Sequence, residues 1–284
     1  MAGSKYAYVK KYELPDALLP GTFIVARIDG HAFHRLSQEH GFTKPNDERA
    51  LQLMDHAARD VMSEFKDIVL AFGESDEYSF LFRKSSTVFN RRCAKILSTL
   101  TSRFTSSYVF NWSTYFLDTT LHYPPTFDGR LVLYPSSREV RDYFAWRQVD
   151  THINNLYNTT FWALVQQSRK TPAEAHAALK GTVAKQKHEI LFSNYNINYN
   201  NLPARFRKGS ILVREFVQSD DHQDSQQQDA TQLQATQRDQ MVEQGGSSRS
   251  SRAKKVEPRT EVALLHCDLI GDEFWALRPH LLSD

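Results

Sequence analysis

Residues 71–82 read AFGESDEYSFLF, in which three acids, Glu74, Asp76 and Glu77, interrupt an apolar and aromatic run that then resumes. Upstream, RIDGHAF (27–33) places Asp29 and Gly30 at the end of a run rich in β-branched residues. If the fold brings Asp29 beside Asp76 and Glu77, the carboxylates need a cation, because like charges disfavour joint ionisation. Hard oxygen donors select magnesium, which keeps several waters and takes its remaining ligands from phosphates. A pair of such ions suits in-line displacement at phosphorus. Adjacent residues of a regular strand point to opposite faces, so only one of Asp76 and Glu77 can ligate directly, and Asp76 ranks first. Gly30 lets the backbone come close to a ligand, and the N–H groups of His31 to His34 could cradle phosphates. For the turn alone, a solvated hairpin tip is the plain alternative.

Basic residues accompany the acids. A helix expected over 88–107 carries Arg92, Lys95, Thr99 and Arg103 on one face, apart from a core-facing stripe of Cys93, Leu97, Leu100 and Phe104. Arg92 and Lys95 are candidate triphosphate ligands, with a solvated charged face as the alternative. Arg27 lies two residues before Asp29 and points the same way, and Lys44 could reach the same phosphates.

The stretch THINNLYNTTFWALV (151–165) sets His152, Asn154, Asn155 and Asn158 beside a helical pattern of Ile153, Leu156, Phe161 and Leu164. Asn costs about half a kcal/mol or more against Ala inside a helix, so three of them need a reason beyond local capping. Asn and His offer hydrogen bonds to the edges of unpaired RNA bases without net charge. SNYNINYNNLP (193–203) could act similarly or serve only as turns. Arg205, Arg207 and Lys208 suit phosphate contacts or a solvated basic end.

The elements that must position these residues follow from periodicity. TFIVARID (22–29) reads as a strand. A helix follows TKPNDERA, with Pro45 in its first turn and Leu51, Met54, Ala58, Val61 and Phe65 as its buried stripe. IVLAF and EYSFLF are two strands, a second helix starts near Ser86, and GRLVLYP (129–135) is a further strand. This is an α+β order, the ferredoxin-like split β-α-β-β-α-β unit, an antiparallel sheet covered by two helices on one side. Helices are expected over about 137–167 and 172–191.

The chain therefore divides into a catalytic core at 1–136, a helical RNA-recognition region at 137–217, an insertion at 218–258 and a segment at 259–284 that docks back on the core. The insertion is rich in Gln, Ser and Asp and nearly devoid of apolar residues, so it is expected to be disordered. Its GGSSRSSRAKK end is a solvated linker or, alternatively, a nuclear signal.

With 284 residues and 40% hydrophobic content the chain can build a packed core. Net charge is +2, but residues 1–217 hold 28 Lys and Arg against 21 Asp and Glu, as a polyanion-binding body with an acidic tail would. No run approaches the roughly 20 apolar residues of a membrane helix, and the N-terminus lacks a secretory signal. Cys93 and Cys267 have no paired spacing, which predicts reduced thiols and an intracellular protein. Cytoplasm and nucleus both fit, and a mitochondrial pool stays open.

Three motifs in order, RIDGHAFHRLSQEHGFTKPND, FGESDEYSFLF and HINNLYNTTFW, resemble the tRNA-His guanylyltransferases, the eukaryotic family that adds nucleotides in the 3′–5′ direction. The resemblance covers about residues 5–217 and resumes near 259; the glutamine tract departs from it. It implies a core like the palm of conventional polymerases. It implies that Asp29, the Gly30 carbonyl and Asp76 bind two magnesium ions, with Glu77 also needed for activity. It further implies nucleotide contacts from Gly30, His31, Ala32, Phe33, His34 and Ser75, phosphate contacts from Arg27, Lys44, Arg92 and Lys95, and a guanine contact from Asp47. His152, Lys187 and Asn198 match positions linked to tRNA handling. The implied substrates are tRNA-His, ATP and GTP, and the implied assembly is a homotetramer, a dimer of dimers. Rival readings are a nucleotide cyclase, a 5′–3′ polymerase and an RNA-binding module with structural acids. A cyclase needs no device for RNA, and a conventional polymerase needs fingers and thumb that this short chain has little room for.

Overall fold

In a computed structural model, which describes residues 4–216 and 260–283, the β-branched and aromatic runs form one six-stranded sheet. Its strands are β1 (Phe23–His31), β2 (Ile68–Glu74), β3 (Glu77–Phe82), β4 (Thr126–Tyr134), β5 (Ser210–Phe216) and β6 (Thr260–Leu265), in the order β4-β1-β3-β2-β5-β6. β1 is antiparallel to β3 and β4, and β2 is antiparallel to β3 and β5. Alternation along β1 assigns its two faces: Ile24, Ala26 and Ile28 enter one core, Phe23 and Val25 the other.

The first core is roofed by α2 (Glu48–Glu64) and α3 (Cys93–Phe110), which pack on each other. Before α2 lies α1 (Phe33–Glu39), entered through a left-handed Ala32 at φ +57°. α2 begins later than the proline suggests. Asp47 is its N-cap, accepting the Arg49 N–H at 3.1 Å, and Pro45 stays in the preceding loop. Its buried face is two rows wide, Leu53, Met54, Ala57, Ala58, Val61 and Met62, while Leu51 is only half-buried. The start expected near Ser86 is likewise displaced, because Phe89, Asn90 and Arg91 have positive φ and break the helix before Cys93. α3 turns Ile96, Leu100, Phe104 and Tyr108 inward, so the expected Leu100 and Phe104 are buried while Cys93 and Leu97 are left half-exposed. Each such full burial stabilises by about 1.5–3 kcal/mol. Short α4 (Trp112–Tyr115) stacks Trp112 on Phe116 and leads into β4.

The opposite face is covered too, against the expectation of a one-sided sheet. α5 (Ser137–Gln166) lays Val140, Tyr143 and Phe144 on it, joined by Leu269, Phe274, Trp275 and Leu281 of the C-terminal segment, where α9 (Glu273–Ala276) lies. The far half of α5 leaves the sheet and packs Leu156, Phe161, Ala163 and Leu164 against α6 (Pro172–Leu179) and α7 (Ala184–Tyr195). The single helix expected at 172–191 is thus two, separated at Gly181, whose φ of +75° suits glycine. α8 (Ala204–Lys208) returns the chain to β5. Residues Met1–Arg214 and Val262–Asp284 make up one unit; a second, Glu215–Glu261, lies outside the described residues except at its strand ends. The insertion expected at 218–258 falls outside them as well. Both cysteines are free, and among the described residues no helix is long and apolar enough to cross a membrane.

Candidate functional site

Ser75 and Asp76 form the two-residue turn between β2 and β3, with Ser75 at φ +50°. Gly73 makes room for the turn's own support, since a Cβ there would lie 2.2 Å from the Tyr78 ring. The Asp76 carbonyl accepts the Gly30 N–H at 3.0 Å, which pins the turn to β1. Register then sets Asp29 directly across from Glu77 and Arg27 across from Ser79. Asp76 is not a strand residue. The turn frees it from the alternation rule, so Asp76 and Glu77 can both serve one site. Asp76 is half-buried, and its pKa is raised by desolvation and by the Asp29 charge, against hydrogen bonds from Ser75 and its own backbone. Among the described residues no Lys, Arg or His forms an ion pair with it, whereas Asp29 pairs with Arg27.

Glu77 differs. Arg147 of α5 clamps it with two bonds, Nε to Oε1 at 2.7 Å and Nη2 to Oε2 at 2.9 Å. Arg27 Nη2 reaches the same Oε2 at 2.5 Å and Asp29 Oδ2 at 3.0 Å. Arg147 Nη2 also holds Glu74 Oε1 at 2.6 Å, and its Nη1 holds Asp150 at 2.8 Å. Burial pushes the Glu74 carboxyl up to about 7, more than Thr151 and Arg147 draw it down. Burial raises Glu77 as well, opposed by the two arginines. The acids of the turn are therefore held in two ways: Asp29, Glu74 and Glu77 are tied into one network by Arg27 and Arg147, whereas Asp76 has no ion-pair partner of its own among the described residues.

The other expected nucleotide residues are distributed unevenly. His31 and His34 are exposed around left-handed Ala32. Phe33 is instead buried, and its ring fills the space a Cβ on Gly30 would take, at 2.4 Å. Gly30 is thus required by packing whether or not a ligand approaches. Lys44 donates to Ser37 Oγ of α1 at 2.8 Å, and burial lowers its pKa. Asp47 has its carboxylate occupied by the Thr43 N–H and by the Arg49 backbone and guanidinium. Arg92 and Lys95 stand at the start of α3. Arg92 pairs with Asp16, while neighbouring Arg91 bonds Leu19 and Thr22, just before β1 begins. Asp29 lies seven residues farther along the chain than Thr22, roughly 20 Å at strand rise, so the fold of one chain does not gather Arg92 with the acids.

A second constellation lies along α5. His152, His188 and Tyr199 contact one another with ring centroids 5.3–6.4 Å apart. They line a cleft of about 670 Å³ with Lys185, Asn198 and Asn200. Burial, with the charges of His188 and Arg207, lowers the His152 pKa. Asn154 and Asn158 face solvent, whereas Asn155 is buried, donating to Asn46 Oδ1 at 2.9 Å and accepting from Tyr199 at 3.1 Å. Ile153, expected in the core, is exposed. Lys187 turns away, its Nζ on the Thr182 carbonyl at 2.7 Å. Arg205 is engaged by Asp55.

Arg147 is the main residue absent from the sequence-based set. Its signal was present: it falls on the buried row of α5 with Val140, Tyr143, Phe144 and Thr151. A buried arginine on an apolar row demands carboxylate partners.

Asp29, Asp76 and the Gly30 carbonyl form an all-oxygen donor set, and half-buried Asp76, raised by desolvation and by the Asp29 charge, fits a magnesium site. Among the described residues no cluster of three or more His, Cys, Asp or Glu side chains has metal-holding geometry, so further ligands would have to come from water or phosphate.

The family model "tRNAHis guanylyltransferase" matches residues 6–135, and "Thg1 C terminal domain" matches 138–271. The tRNA(His) guanylyltransferase of Neurospora crassa is 49% identical over 287 residues, covering 100% of this chain and 97% of that protein. The crystal structure of the Saccharomyces cerevisiae tRNA(His) guanylyltransferase has 49% identity and a TM-score of 0.71, covering 74% of this chain and 93% of that one. A bacterial tRNA(His) guanylyltransferase-like protein in complex with ATP has 26% identity and a TM-score of 0.62, covering 75% and 88%.

Proposed function

The chain belongs to the tRNA(His) guanylyltransferase family, and from that premise we propose that its Asp29–Asp76 turn is the nucleotidyl-transfer centre. The enzyme is a nucleotidyltransferase that adds guanosine to the 5′ end of tRNA-His, using ATP and GTP. The observation that carries the site assignment is the half-buried, desolvated Asp76 carboxyl beside that of Asp29, with no ion-pair partner among the described residues and with the Arg27 guanidinium on Asp29. Two magnesium ions bound there supply charge neutralisation at phosphate oxygens and activation of an attacking hydroxyl. Asp29, Asp76 and the Gly30 carbonyl hold them; Arg27 offers its guanidinium to phosphate, and the left-handed turn at Ala32 presents backbone N–H groups with Ser75 alongside. Glu77 serves by holding Arg27.

The reaction proceeds in three parts. The tRNA 5′-monophosphate attacks the α-phosphate of ATP and releases pyrophosphate, the GTP 3′-hydroxyl displaces AMP from the adenylylated end, and water then displaces pyrophosphate from the added nucleotide, leaving a 5′-monophosphate. The first two are displacements at phosphorus and need the same positioning. The strand order β4-β1-β3-β2 with α2 and α3 on one face supports a ferredoxin-like palm at 1–136, with 137–217 completing the globule and 259–284 docking on it. The cleft of His152 and Asn198, flanked by Asn154, Asn158 and Lys187, receives the tRNA. Arg92 and Lys95, distant from the acids in one chain, contact phosphate in a homotetramer whose tRNA spans subunits. The direct test uses 5′-monophosphorylated tRNA-His lacking the extra guanosine, with ATP, labelled GTP and magnesium. A labelled 5′-extended product is expected, and its absence from well-folded protein would sink the proposal.

A further inference from the structure

Glu74 and Glu77 face each other across the closing pair of the β2–β3 hairpin, and both are largely buried. Two carboxylates in that position oppose hairpin closure unless a cation enters with them. Arg147 is that cation, and it comes from a different layer, the helix covering the opposite face of the sheet from α2 and α3. Its guanidinium is 7% exposed and divides its donors among Glu77, Glu74 and Asp150. The consequence runs further through one atom. Glu77 Oε2 accepts from both Arg147 Nη2 and Arg27 Nη2, and Arg27 Nη2 in turn bonds Asp29 Oδ2. Among the described residues Arg27 Nε has no hydrogen-bond partner in its buried position, and the ion pairs of this guanidinium go to Glu77 and Asp29.

We infer that Arg147 is a positioning residue for nucleotidyl transfer: its bidentate grip fixes Glu77, Glu77 fixes Arg27, and Arg27 sets the orientation of Asp29 and the phosphate-facing donors. The inference rests on the proposed assignment of Asp29 and Arg27 to the reacting centre. A lysine at 147 supplies the charge but not the planar fork, because its single ammonium cannot make parallel bonds to both oxygens of Glu77 while also holding Glu74. A role confined to neutralising buried acids would be met by lysine; a role in positioning would not. The same α5 also carries His152, five residues and about 7–8 Å of helix axis beyond Arg147, so the helix that enters the cleft also orients the acidic centre.

The test compares full-length Arg147→Lys with the parent enzyme in four measurements: thermal unfolding, affinity for tRNA-His, affinity for GTP with manganese by spin-resonance titration, and single-turnover guanosine addition at saturating substrates. The expected result is folded protein with tRNA affinity within about twofold, manganese–GTP affinity weakened several-fold and single-turnover rate lowered about a hundredfold, the cost of a misplacement on the order of 1 Å. A single-turnover rate within threefold of the parent, with manganese–GTP affinity unchanged, would overturn it. If Arg147→Lys fails to fold, the pair Glu74→Gln with Arg147→Lys removes one buried charge and carries the same expectation. The two proposals fail separately: a parent enzyme that adds no guanosine defeats the assignment of the centre, whereas an active parent with an equally active lysine variant defeats only the role of Arg147.

Discussion

Two aspartates stand close to Tyr78, Asp55 through a hydrogen bond and Asp76 two residues before it in the chain, and they are handled in opposite ways. Asp55 of α2 accepts from the Tyr78 hydroxyl at 2.8 Å, from Ser210 Oγ at 3.1 Å and from Arg205 Nη1. Its acceptors are filled and its charge is matched, so it ties α2, β3, β5 and α8 together. Asp76, two residues before Tyr78, is half-buried, yet it lies near Asp29 and is helped by Ser75 and its own backbone, with no ion-pair partner among the described residues. Burial alone does not mark a site. A desolvated carboxylate left unmatched next to another carboxylate does, because the fold tolerates that cost only where a ligand removes it.

Neutral replacements separate the two. Asp76→Asn is expected to lower guanosine addition about a thousandfold, the rate equivalent of losing several kcal/mol of charge stabilisation, while melting at or above the parent temperature. Asp55→Asn should do the reverse, costing about 3–5 kcal/mol in urea denaturation by stranding Arg205, with activity per folded molecule retained. Parallel losses of stability in both variants would erase the distinction between a tie and a site.

Glu74 sharpens the contrast, since it is buried and paired and still titrates high, at about 7 against an ordinary 4.5. A carboxyl whose folded pKa exceeds its unfolded one binds protons more tightly when folded. Its contribution to stability is full below about pH 4.5 and is lost as pH rises toward 7. The stability of the parent relative to Glu74→Gln should therefore fall by about 2–3 kcal/mol between pH 5 and pH 8. A difference that stays flat over that range would mean that Arg147 fully offsets the burial of Glu74.

How much of this was legible in the sequence depends on which physical rule governs each residue. Alternation exposed β1 and β3, and the acids between two apolar runs gave the turn, because both signals are local. The placement of Asp76 in the turn itself, beyond the alternation rule, was not local, since it depends on Ser75 adopting positive φ and on the Gly30 bond to Asp76. Phe33 behind Gly30 shows the same limit: the glycine was visible, but the ring that requires it was not. Arg92 is the extended N-cap of α3 and not part of the helical face on which periodicity set it with Lys95, and periodicity is silent about which end of a helix meets which end of a sheet. Arg147 was hidden for another reason. Its partners lie about 70 residues upstream, and only the docking of α5 on the second sheet face brings them together.

The asparagine run repeats the comparison of tie and site at smaller cost. Asn155 is buried between Asn46 and Tyr199, linking the loop before α2 to the rim of the cleft, whereas adjacent Asn154 is exposed. An unfavourable helix residue is retained in one case for a buried network and in the other for whatever meets the surface. Asn155→Ala should cost about 1 kcal/mol in denaturant unfolding by leaving Asn46 and Tyr199 without a partner. Asn154→Ala should change stability by less than about 0.5 kcal/mol, because its side chain has no buried partner to lose. In filter binding with tRNA-His the order should invert, Asn154→Ala weakening the complex more than its small effect on folding accounts for. If Asn154→Ala leaves both quantities unchanged, that side chain belongs to a solvated face, and tRNA reading on α5 contracts to His152 and the residues of its cleft.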